Sequence, residues 1–487
     1  MKIRALFTQC TLDYWLRVAT ELKDTYGWEI CYLTGSKVEH RAKREFPGVP
    51  FHTINQILKN EVPKEASEIP LKPIDKTLIQ AMSFHESIFM KMMNRFDIDG
   101  KFDYHKRLYY YHNQLAYWKS ILDFYRPDVV VFRVTPHRGY DYLLYALAQY
   151  CRIKTILIER TAIPGYLFAV SSFETGSREL KDHYDNMGST REEGPVALSE
   201  STRSYLERLQ QSYDRGAPFH LRFKLRNQSY TLFHVFWFFL KDLVKWGYAR
   251  RFEKDFIRRS AYKSLGQVRK RRLKRYSDRL SVRADLTQPY VFVALQCEPE
   301  RQTCPSGGVF GSQYLMIDML SRLVPEGWKI YVKEHISQFK SYQNAERART
   351  RDFYRFILRR PNVRLVSLKH TSYELIDRAM ASATVSGTVA WESVVRGKPA
   401  LLFGHSWYGG CEGVFEAGTS EGCSKALQAI AGGYRVDAAR VERFAKAVEE
   451  IGTLGYNDKV YEKMDLISPE ENVKHQASMI HRFYPRA

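Results

Sequence analysis

The chain has 487 residues, of which 44% are hydrophobic, and its formal net charge is +21. This composition excludes a disordered chain, and the length exceeds that of one ordinary domain, so we expect two or three domains with separate cores. The charge predicts an anionic partner, which is a nucleic acid, a phospholipid surface or a charged substrate.

The N-terminus and the cysteines favour a cytoplasmic protein. The first ten residues, MKIRALFTQC, lack the apolar core of a signal peptide before the polar stretch LDYWLRVATELKD. The seven cysteines form no CxxC pair and no zinc-finger spacing, which is typical of reduced cytosolic thiols.

The first third of the chain alternates predicted strands and helices. The strand patterns KIRALFTQ and WEICYLTG flank an amphipathic helix that ends at Gly27. The buried strand PDVVVFRV, the helix YDYLLYALAQYC and the strand KTILIER follow farther along. Repeated βαβ units predict a parallel sheet with helices on both faces, so we assign residues 1–200 to an N-terminal Rossmann-like domain.

The sequence DID at Asp97–Asp99 is a candidate metal motif, because two carboxylates at this spacing can hold a divalent cation. No strand pattern precedes it, Gly and Lys follow it, and no second group of ligands accompanies it. We interpret it as a solvated loop and predict neither a metal nor a cofactor.

Residues 201–285 differ in composition from both flanks. Between 251 and 283 there are thirteen Lys or Arg and three acids, and the aromatic stretch YTLFHVFWFFLKDLVKWGY lies just upstream. That stretch is too short and too polar to predict a transmembrane helix. The basic segment is typical of a nucleic-acid site, of a solvated helix face, or of a surface that docks on anionic phospholipid. Zinc-finger, RNP-like and homeodomain patterns do not accompany it, which disfavours nucleic acid.

The alternation of strands and helices resumes after RADLTQP. The strand patterns are YVFVALQ, WKIYVKEH, NVRLVSL, ATVSGT and ALLFG, with helix patterns between them. We assign residues 286–465 to a second Rossmann-like domain and 466–487 to a C-terminal helix. The predicted fold class is therefore α/β, with two doubly wound domains facing a cleft and a basic helical insertion between them.

Polar residues at three strand ends of the second domain predict a ligand site in that cleft. Gly387 permits a phosphate to approach the backbone, and Lys333 and His335 point the same way and can donate to it. Glu392, one turn into the next helix, can accept hydrogen bonds from ribose hydroxyls. A helix N-cap also explains this turn, but the strand ends together favour a nucleotide site. The candidate residues are Gln296, Lys333, His335, Ser386, Gly387, Thr388 and Glu392.

The stretches VKEHIS and LIDRAMASATVSGTVAWESVVRGKPALLFGHSWYGG resemble the C-terminal half of the bacterial capsule polysaccharide synthesis family. These are glycosyltransferases of the GT-B fold that include the β-Kdo transferases. The family pattern is KEHP, a Ser/Thr-rich turn, a helix with a Glu, GKP and a G…WY loop, and this chain has Ile336 in place of the proline. The resemblance implies that His335 and Ser386–Thr388 contact the nucleotide phosphate of a CMP-sugar.

The stretch LIERTAIPGYLFAVSSFETGS resembles the family's run of a carboxylate after a strand, a proline, and then an acid and a glycine. Glu159, Pro164, Glu174 and Gly176 occupy those places, and Thr161 stands near the place where the family has a glycine. The resemblance implies that the N-terminal domain binds the acceptor and supplies Glu159 and Glu174 for catalysis. A carboxylate in the cleft can act as base, nucleophile or stabiliser of an oxocarbenium-like transition state.

Two further groups of residues follow predicted strands of the first domain. His137, in VTPHRGYD, is a second catalytic candidate for proton transfer, and it can equally cap the helix that follows. Arg133, Arg138 and Arg160 can bind a sugar carboxylate, or they can be ordinary surface charges.

We therefore expect a metal-independent GT-B glycosyltransferase that moves an acidic 2-keto sugar such as Kdo from its CMP form onto a bacterial surface polysaccharide or glycolipid, including lipopolysaccharide. The expected partners are the CMP-sugar donor, the glycan acceptor and an anionic membrane, and no nucleic acid. The basic segment would then hold the protein peripherally on the inner face of the cytoplasmic membrane. The alternatives are a transferase using a UDP- or GDP-sugar, a nucleic-acid-binding protein and an inactive polysaccharide-assembly scaffold.

Overall fold

The computed structural model describes residues 2–97, 102–189, 196–211, 254–339, 345–462 and 466–486. Two α/β units account for most of them, and each unit is built on one sheet. The predicted fold class, two Rossmann-like units in a GT-B-like arrangement, is confirmed.

The first sheet has the strand order β3-β2-β1-β4-β5-β6-β13. Strands β1 to β5 run parallel, β6 runs antiparallel to β5, and β13 runs antiparallel to β6. The order reverses between β1 and β4, and ligands of open α/β sheets bind beside such a reversal. The bounds are β1 Arg4–Cys10, β2 Glu29–Gly35, β3 Phe51–Thr53, β4 Val129–Phe132, β5 Lys154–Arg160, β6 Tyr166–Val170 and β13 Thr453–Leu454.

The second sheet has six parallel strands in the order β12-β11-β10-β7-β8-β9. Its order reverses between β7 and β10, so it repeats the Rossmann topology of the first sheet. The bounds are β7 Tyr290–Ala294, β8 Lys329–Lys333, β9 Val363–Leu365, β10 Ala381–Thr384, β11 Ala400–Leu402 and β12 Val414–Glu416.

The helices alternate with these strands, as the βαβ pattern predicts. In chain order the α-helices are Asp13–Tyr26, Glu39–Glu45, Ile54–Leu58, Lys76–Phe96, Tyr104–Tyr125, Tyr140–Tyr150, Arg178–Ser189, Glu200–Gln210, Lys254–Leu280, Tyr314–Leu323, Ala345–Ala348, Arg351–Ile357, Ser372–Arg378, Val389–Val395, Ser420–Ala431, Ala438–Ile451, Lys459–Glu462 and Pro469–Phe483.

The first helix shows how local sequence sets the boundaries. Helix Asp13–Tyr26 ends at Gly27 as predicted, because this residue adopts a φ of 70° and its N–H bonds the Leu22 carbonyl. Glycine adopts this left-handed conformation without a steric penalty. The preceding strand β1 is buried along almost its whole length, and its apolar residues Ala5, Leu6 and Phe7 join the hydrophobic cores.

The chain returns to the first unit at its C-terminal end. Strand β13 pairs with β6, and helix Pro469–Phe483 packs on helix Asp13–Tyr26 through Val473, Ala477 and Ile480. The division between the second domain and the C-terminal helix at residue 465 stays a prediction. In this structure the return begins earlier, at Thr453.

The basic segment forms helix Lys254–Leu280 in the part that the structure describes. Leu273 joins the core of the second unit, and Lys270 and Ser277 are also buried. Among the side chains of this helix that the structure describes, the exposed cations are Arg269, Arg272, Lys274, Arg275 and Arg279. The aromatic stretch at 230–248 lies outside the described residues. Among the helices that are described, none is long and apolar enough to cross a membrane.

The loop that follows β7 connects the two units. Lys91 Nζ donates to Ser312 Oγ at 2.7 Å, Arg95 Nε donates to the Pro299 carbonyl at 3.2 Å, and the Cys304 thiol contacts the Ile88 carbonyl. Since Lys91, Arg95 and Ile88 lie on helix Lys76–Phe96 of the first unit, these contacts hold the end of β7 against that unit.

Candidate functional site

The reversal point of the second sheet brings Gln296 and Gly387 together. Gln296 Nε2 donates to Thr384 Oγ1, which also accepts from the Gly387 N–H at 3.1 Å. A side chain on Gly387 would clash with Gln296 Nε2 and Thr384 Oγ1, so the glycine is required by close approach. Gln296 Oε1 is buried and has no hydrogen-bond partner in the structure. This turn therefore presents backbone and an unpartnered amide oxygen at the place where ligands of such sheets bind.

The hydroxyls of the turn after β10 do not cap the following helix. Ser386 Oγ donates to the Gln302 carbonyl at 2.6 Å, and Thr388 Oγ1 donates to Glu392 Oε1 at 2.8 Å. Thr388 occupies the N-cap position of helix Val389–Val395 without a side-chain capping bond. The capping interpretation is therefore wrong for these side chains, and both hydroxyl protons are used within the protein.

Lys333 at the end of β8 faces Glu392. Burial lowers the pKa of Lys333 to about 8, and the charges of Glu392 and Glu374 oppose this shift. Burial raises the pKa of Glu392, and the Thr388 hydroxyl and Lys333 oppose it. Lys333 Nζ also donates to Ser372 Oγ at 3.2 Å. The predicted cation and the predicted carboxylate are thus neighbours, as a shared nucleotide site requires.

The ring of His335 has a defined tautomer. The backbone N–H of Ser337 donates to His335 Nδ1 at 3.2 Å, and an N–H can only donate. In the neutral ring the proton therefore lies on Nε2, which makes that nitrogen a hydrogen-bond donor.

Glu334 points away from this surface, because neighbouring residues of a strand alternate. Arg349 Nε lies 2.9 Å from Glu334 Oε2, and Arg349 Nη1 lies 3.2 Å from Glu298 Oε1. Tyr354 donates to Glu334 Oε2 at 2.8 Å, and the His335 N–H donates to Glu334 Oε1 at 2.9 Å. We call Glu298, Glu334, Arg349 and Tyr354 the buried ion cluster. It fixes the ends of β7 and β8, and sequence reasoning missed it, although the inward Glu334 signals that a buried cation is needed.

Glu159 at the end of β5 has the environment of a reactive carboxylate. Its Oε2 is buried without a hydrogen-bond partner. Burial raises its pKa to about 7, against the attraction of Arg301. Arg301 belongs to the loop after β7 of the second unit, and no sequence pattern singled it out. The structure thus places residues of both units beside the Glu159 carboxylate.

His137 lies in the same region and stays neutral. Its Nδ1 is 2.8 Å from the Thr135 carbonyl, which only accepts, so Nε2 carries the lone pair. Burial lowers the pKa of His137 well below its usual range, and the charges of Arg95 and Arg301 add to this effect. Gly139 is the N-cap of helix Tyr140–Tyr150. The interpretation of His137 as the cap of that helix is therefore wrong.

The three arginines of the first unit differ in environment. Arg133 is buried and donates to the Asn457 carbonyl. Arg138 and Arg160 are half-buried, and the backbone N–H of Arg138 donates to Asp141 Oδ1 at 2.6 Å. Their predicted role with a sugar carboxylate stays a prediction.

Glu174 does not join Glu159. Strand β6 runs antiparallel to β5, with Glu159 opposite Phe168 and Leu157 opposite Val170. Residues that follow β6 therefore lie near the amino end of β5, whereas Glu159 lies near its carboxyl end. Glu174 accepts from Tyr145 at 2.6 Å and from Ser172 at 2.5 Å. It lines a separate cavity of about 110 Å³. The direction of β6 was not predicted from the sequence.

Only the first aspartate of the DID motif belongs to the described residues. Asp97 is buried and forms an ion pair with Arg107 at 3.3 Å, while Asp99 lies outside the described residues. Within the described ranges, no group of three or more His, Cys, Asp or Glu side chains is arranged to hold a metal ion.

Comparisons with known proteins give distant likenesses in fold. No family model matches the chain, and no curated protein matches it. Among solved structures, the β-Kdo 2,7 transferase KpsC of Thermosulfurimonas dismutans is 10% identical, with 98% of this chain and 99% of that chain covered and a TM-score of 0.32. The KpsC β-Kdo 2,4 transferase of the same organism is 12% identical over 65% of this chain and 78% of that chain, with a TM-score of 0.27. The UDP-GlcNAc 2-epimerase of Methanocaldococcus jannaschii is 11% identical over 92% of this chain and all of that chain, with a TM-score of 0.25.

Proposed function

We propose that the chain is a glycosyltransferase that moves an acidic 2-keto sugar of the Kdo type from its CMP-activated form onto a bacterial surface polysaccharide or glycolipid. The observation that carries the proposal is the meeting of two groups of side chains. Lys333, Glu392 and Gly387 lie at the reversal point of the second sheet, and the charge of Arg301 from that unit acts on Glu159 of the first.

The nucleotide would bind to the second unit. His335 Nε2–H and the Lys333 ammonium are donors of the kind that bind a phosphate. Glu392 would accept from the ribose. A CMP-sugar leaves as a monophosphate, which carries less charge than a diphosphate. The Lys333 ammonium, the His335 Nε2–H and oriented backbone N–H groups would stabilise it, so the proposal requires no metal.

The transfer step would take place between the units. The bond between the anomeric carbon and the phosphate oxygen breaks, and CMP leaves with the electron pair. The Glu159 carboxylate stabilises the positive charge that develops on the sugar, and it can serve as base or nucleophile. The acceptor oxygen forms the new bond, and its proton passes to Glu159 or to the free Nε2 of His137. In this proposal, Arg138 and Arg160 would attract the sugar carboxylate.

The basic helix would hold the enzyme on the membrane. Helix Lys254–Leu280 packs through Leu273 and exposes a row of cations to solvent. Each cation near an anionic leaflet contributes about 1 kcal/mol of binding energy. Lipid-linked acceptors lie at the inner face of the cytoplasmic membrane, so we place the protein there as a peripheral protein.

Thermal unfolding of the full chain with CMP, UDP, GDP or a CMP-activated acidic sugar tests this proposal. A ligand at 100 times its Kd stabilises the folded chain by about 2.7 kcal/mol. We expect CMP and the CMP-sugar to raise the unfolding temperature of the wild type and to act weakly on His335→Ala. The exposed residue His40 provides the matched variant, His40→Ala, which should respond as the wild type does. A larger shift with UDP or GDP would assign a different donor, and no shift with any nucleotide would refute the transferase.

A further inference from the structure

Four buried side chains of the first unit carry polar atoms without hydrogen-bond partners. The atoms are Tyr14 Oη, Arg133 Nε, Tyr456 Oη and Asn457 Nδ2. At most 7% of any of these residues is exposed. All four atoms can donate a hydrogen bond, and two of them can only donate.

These side chains are neighbours, although they come from distant parts of the sequence. The Arg133 guanidinium donates to the Asn457 carbonyl. The rings of Tyr14 and Tyr456 meet edge to face, with 5.7 Å between their centres. The Tyr14 hydroxyl lies beside the Arg133 guanidinium without reaching good hydrogen-bonding geometry. We call Tyr14, Arg133, Tyr456 and Asn457 the donor cluster.

The donor cluster lies where the first sheet reverses its strand order. Arg133 directly follows β4, and Tyr14 is in the first turn of the helix after β1. Strands β1 and β4 are the adjacent pair at the reversal. Open α/β sheets bind ligands at this position, outside the carboxyl ends of the strands. The nucleotide residues occupy the corresponding position of the second sheet, so the donor cluster is a separate site.

In the described part of the chain, no carboxylate forms an ion pair with the Arg133 guanidinium. The charge of Asp458 acts on the Tyr14 hydroxyl, but Asp458 is exposed to solvent. Water can satisfy the hydrogen bonds of these donors, but it cannot supply a counter-charge. A guanidinium this deeply buried is costly unless an anion accompanies it.

We propose that the donor cluster binds an oxyanion, namely a carboxylate or phosphate group carried by the substrate that enters the first unit. Arg133 supplies the charge, and Tyr14, Tyr456 and Asn457 supply neutral donors around it. An oxyanion has several lone pairs in a small volume, so it can accept from more than one of these neighbouring donors. The identity of that substrate as the glycan acceptor rests on the proposed function, but oxyanion binding itself does not.

Calorimetric titration of the full chain at saturating CMP tests the proposal. The probes are glucuronate, glucose 1-phosphate and neutral glucose, in a chloride buffer free of other oxyanions. We expect at least one acidic sugar to bind saturably and glucose not to bind. The stronger of the two acids identifies the source as a carboxylate or a phosphate. Equal responses to all three probes would overturn the proposal.

Variants show whether binding occurs at the donor cluster. Arg133→Gln should weaken binding of the acidic sugar by about tenfold or more, since a charged hydrogen bond is lost. Tyr14→Phe removes only one oxygen and should weaken binding severalfold while the fold survives. Arg44→Gln, at a residue whose side chain is 70% exposed, should bind as the wild type does. Unchanged affinity in both Arg133→Gln and Tyr14→Phe would refute the site.

Asn457→Asp separates a ligand site from a structural arginine. The new carboxylate supplies the missing counter-charge, so oxyanion binding should be lost while the ligand-free chain unfolds at a higher temperature. Lower stability together with retained binding would contradict the proposal. Stabilisation by CMP is measured in the same experiment. In the wild type, oxyanion binding without stabilisation by CMP would refute the proposed function alone, and stabilisation by CMP without oxyanion binding would refute this site alone.

Discussion

Arg349 and Glu334 form an ion pair of 2.9 Å in which both side chains are almost completely buried. Glu334 also accepts from the backbone N–H of His335, so the pair fixes the residue that we expect to hold the phosphate. Glu298, at the end of β7, is the second carboxylate on the same guanidinium. One buried cation thus sets the position of two strand ends of the nucleotide site.

Replacement of Arg349 should lower the stability of the folded chain. Arg349→Met leaves the buried Glu334 and the partly buried Glu298 without a counter-charge, and breaking a buried pair costs about 3–5 kcal/mol. We expect a loss of that size in the free energy of unfolding, measured with a denaturant. Adding Glu334→Gln and Glu298→Gln to Arg349→Met should recover much of it, because the uncompensated charges are removed. A triple variant no more stable than Arg349→Met would show that the charges are not the cause.

His335→Ala should impair turnover more than stability. The variant loses the Nε2–H donor to the leaving phosphate, and the loss of one oriented donor lowers kcat by about 10²-fold or more. Steady-state rates with a cognate CMP-sugar, and thermal unfolding of the same sample, measure both effects. Unchanged kcat would remove His335 from the site.

Glu159 should make both stability and activity depend on pH. Burial raises its pKa from 4.5 to about 7, so between these values the folded chain binds the proton more tightly than the unfolded chain. This group's contribution to stability therefore falls as the pH rises from 4.5 to 7. Glu159→Gln, which has no charge at any pH, should exceed the wild type in stability at pH 8 by about 3 kcal/mol and match it at pH 4.

Activity should change in the opposite direction. If the carboxylate is the reacting form, the wild-type rate should rise with an apparent pKa near 7, and Glu159→Gln should be inactive at every pH. Glu421→Gln, at a residue that is 77% exposed, is the matched control. A stability difference between Glu159→Gln and wild type that does not vary with pH would contradict the buried environment.

Transfer should persist in excess EDTA. Asp97 is held by Arg107, and the leaving CMP carries a monophosphate that the protein's own cations can neutralise. Equal rates with and without EDTA are expected. Complete loss that magnesium or manganese restores would return Asp97 and Asp99 to consideration and would favour a nucleotide diphosphate donor.

Removal of cations from the basic helix should release the protein from anionic liposomes. The variant is Arg271→Ser, Arg272→Ser, Lys274→Ser and Arg275→Ser combined, and at about 1 kcal/mol per cation its affinity should fall by two to three orders of magnitude. Transfer to a short soluble acceptor should continue. Four exposed cations of the first unit, Lys23, Lys43, Arg44 and Lys59, form the control set. If the variant still binds liposomes, the basic helix is only a solvated surface. Tight binding of nucleic acid by the wild type would instead favour the nucleic-acid-binding alternative.

The parallel cores of both sheets could be predicted from sequence because they depend on local patterns. Strands such as β4 and β8 are short runs of apolar residues that lie between helices in the sequence, so a local pattern is enough to recognise them. The strands β3, β6, β12 and β13 were not predicted, since they are short or pair with distant partners. The antiparallel direction of β6, which separates Glu174 from Glu159, is a property of the tertiary structure.

The cations of the site were missed for a related reason. Arg301 acts on Glu159 of the other unit, and Arg349 meets Glu334 across a loop with no motif. Neither contact follows from the spacing of residues. By contrast, Lys333 and Glu392 could be predicted as neighbours, because parallel strands place their carboxyl ends at one edge of the sheet.

The release of CMP from a CMP-activated Kdo-type sugar, with and without a surface polysaccharide acceptor, tests the central claim most directly. The account predicts release that the acceptor accelerates, that Glu159→Gln abolishes and that His335→Ala slows by about 10²-fold. No release from the CMP-sugar under conditions where a UDP- or GDP-sugar is consumed would contradict it.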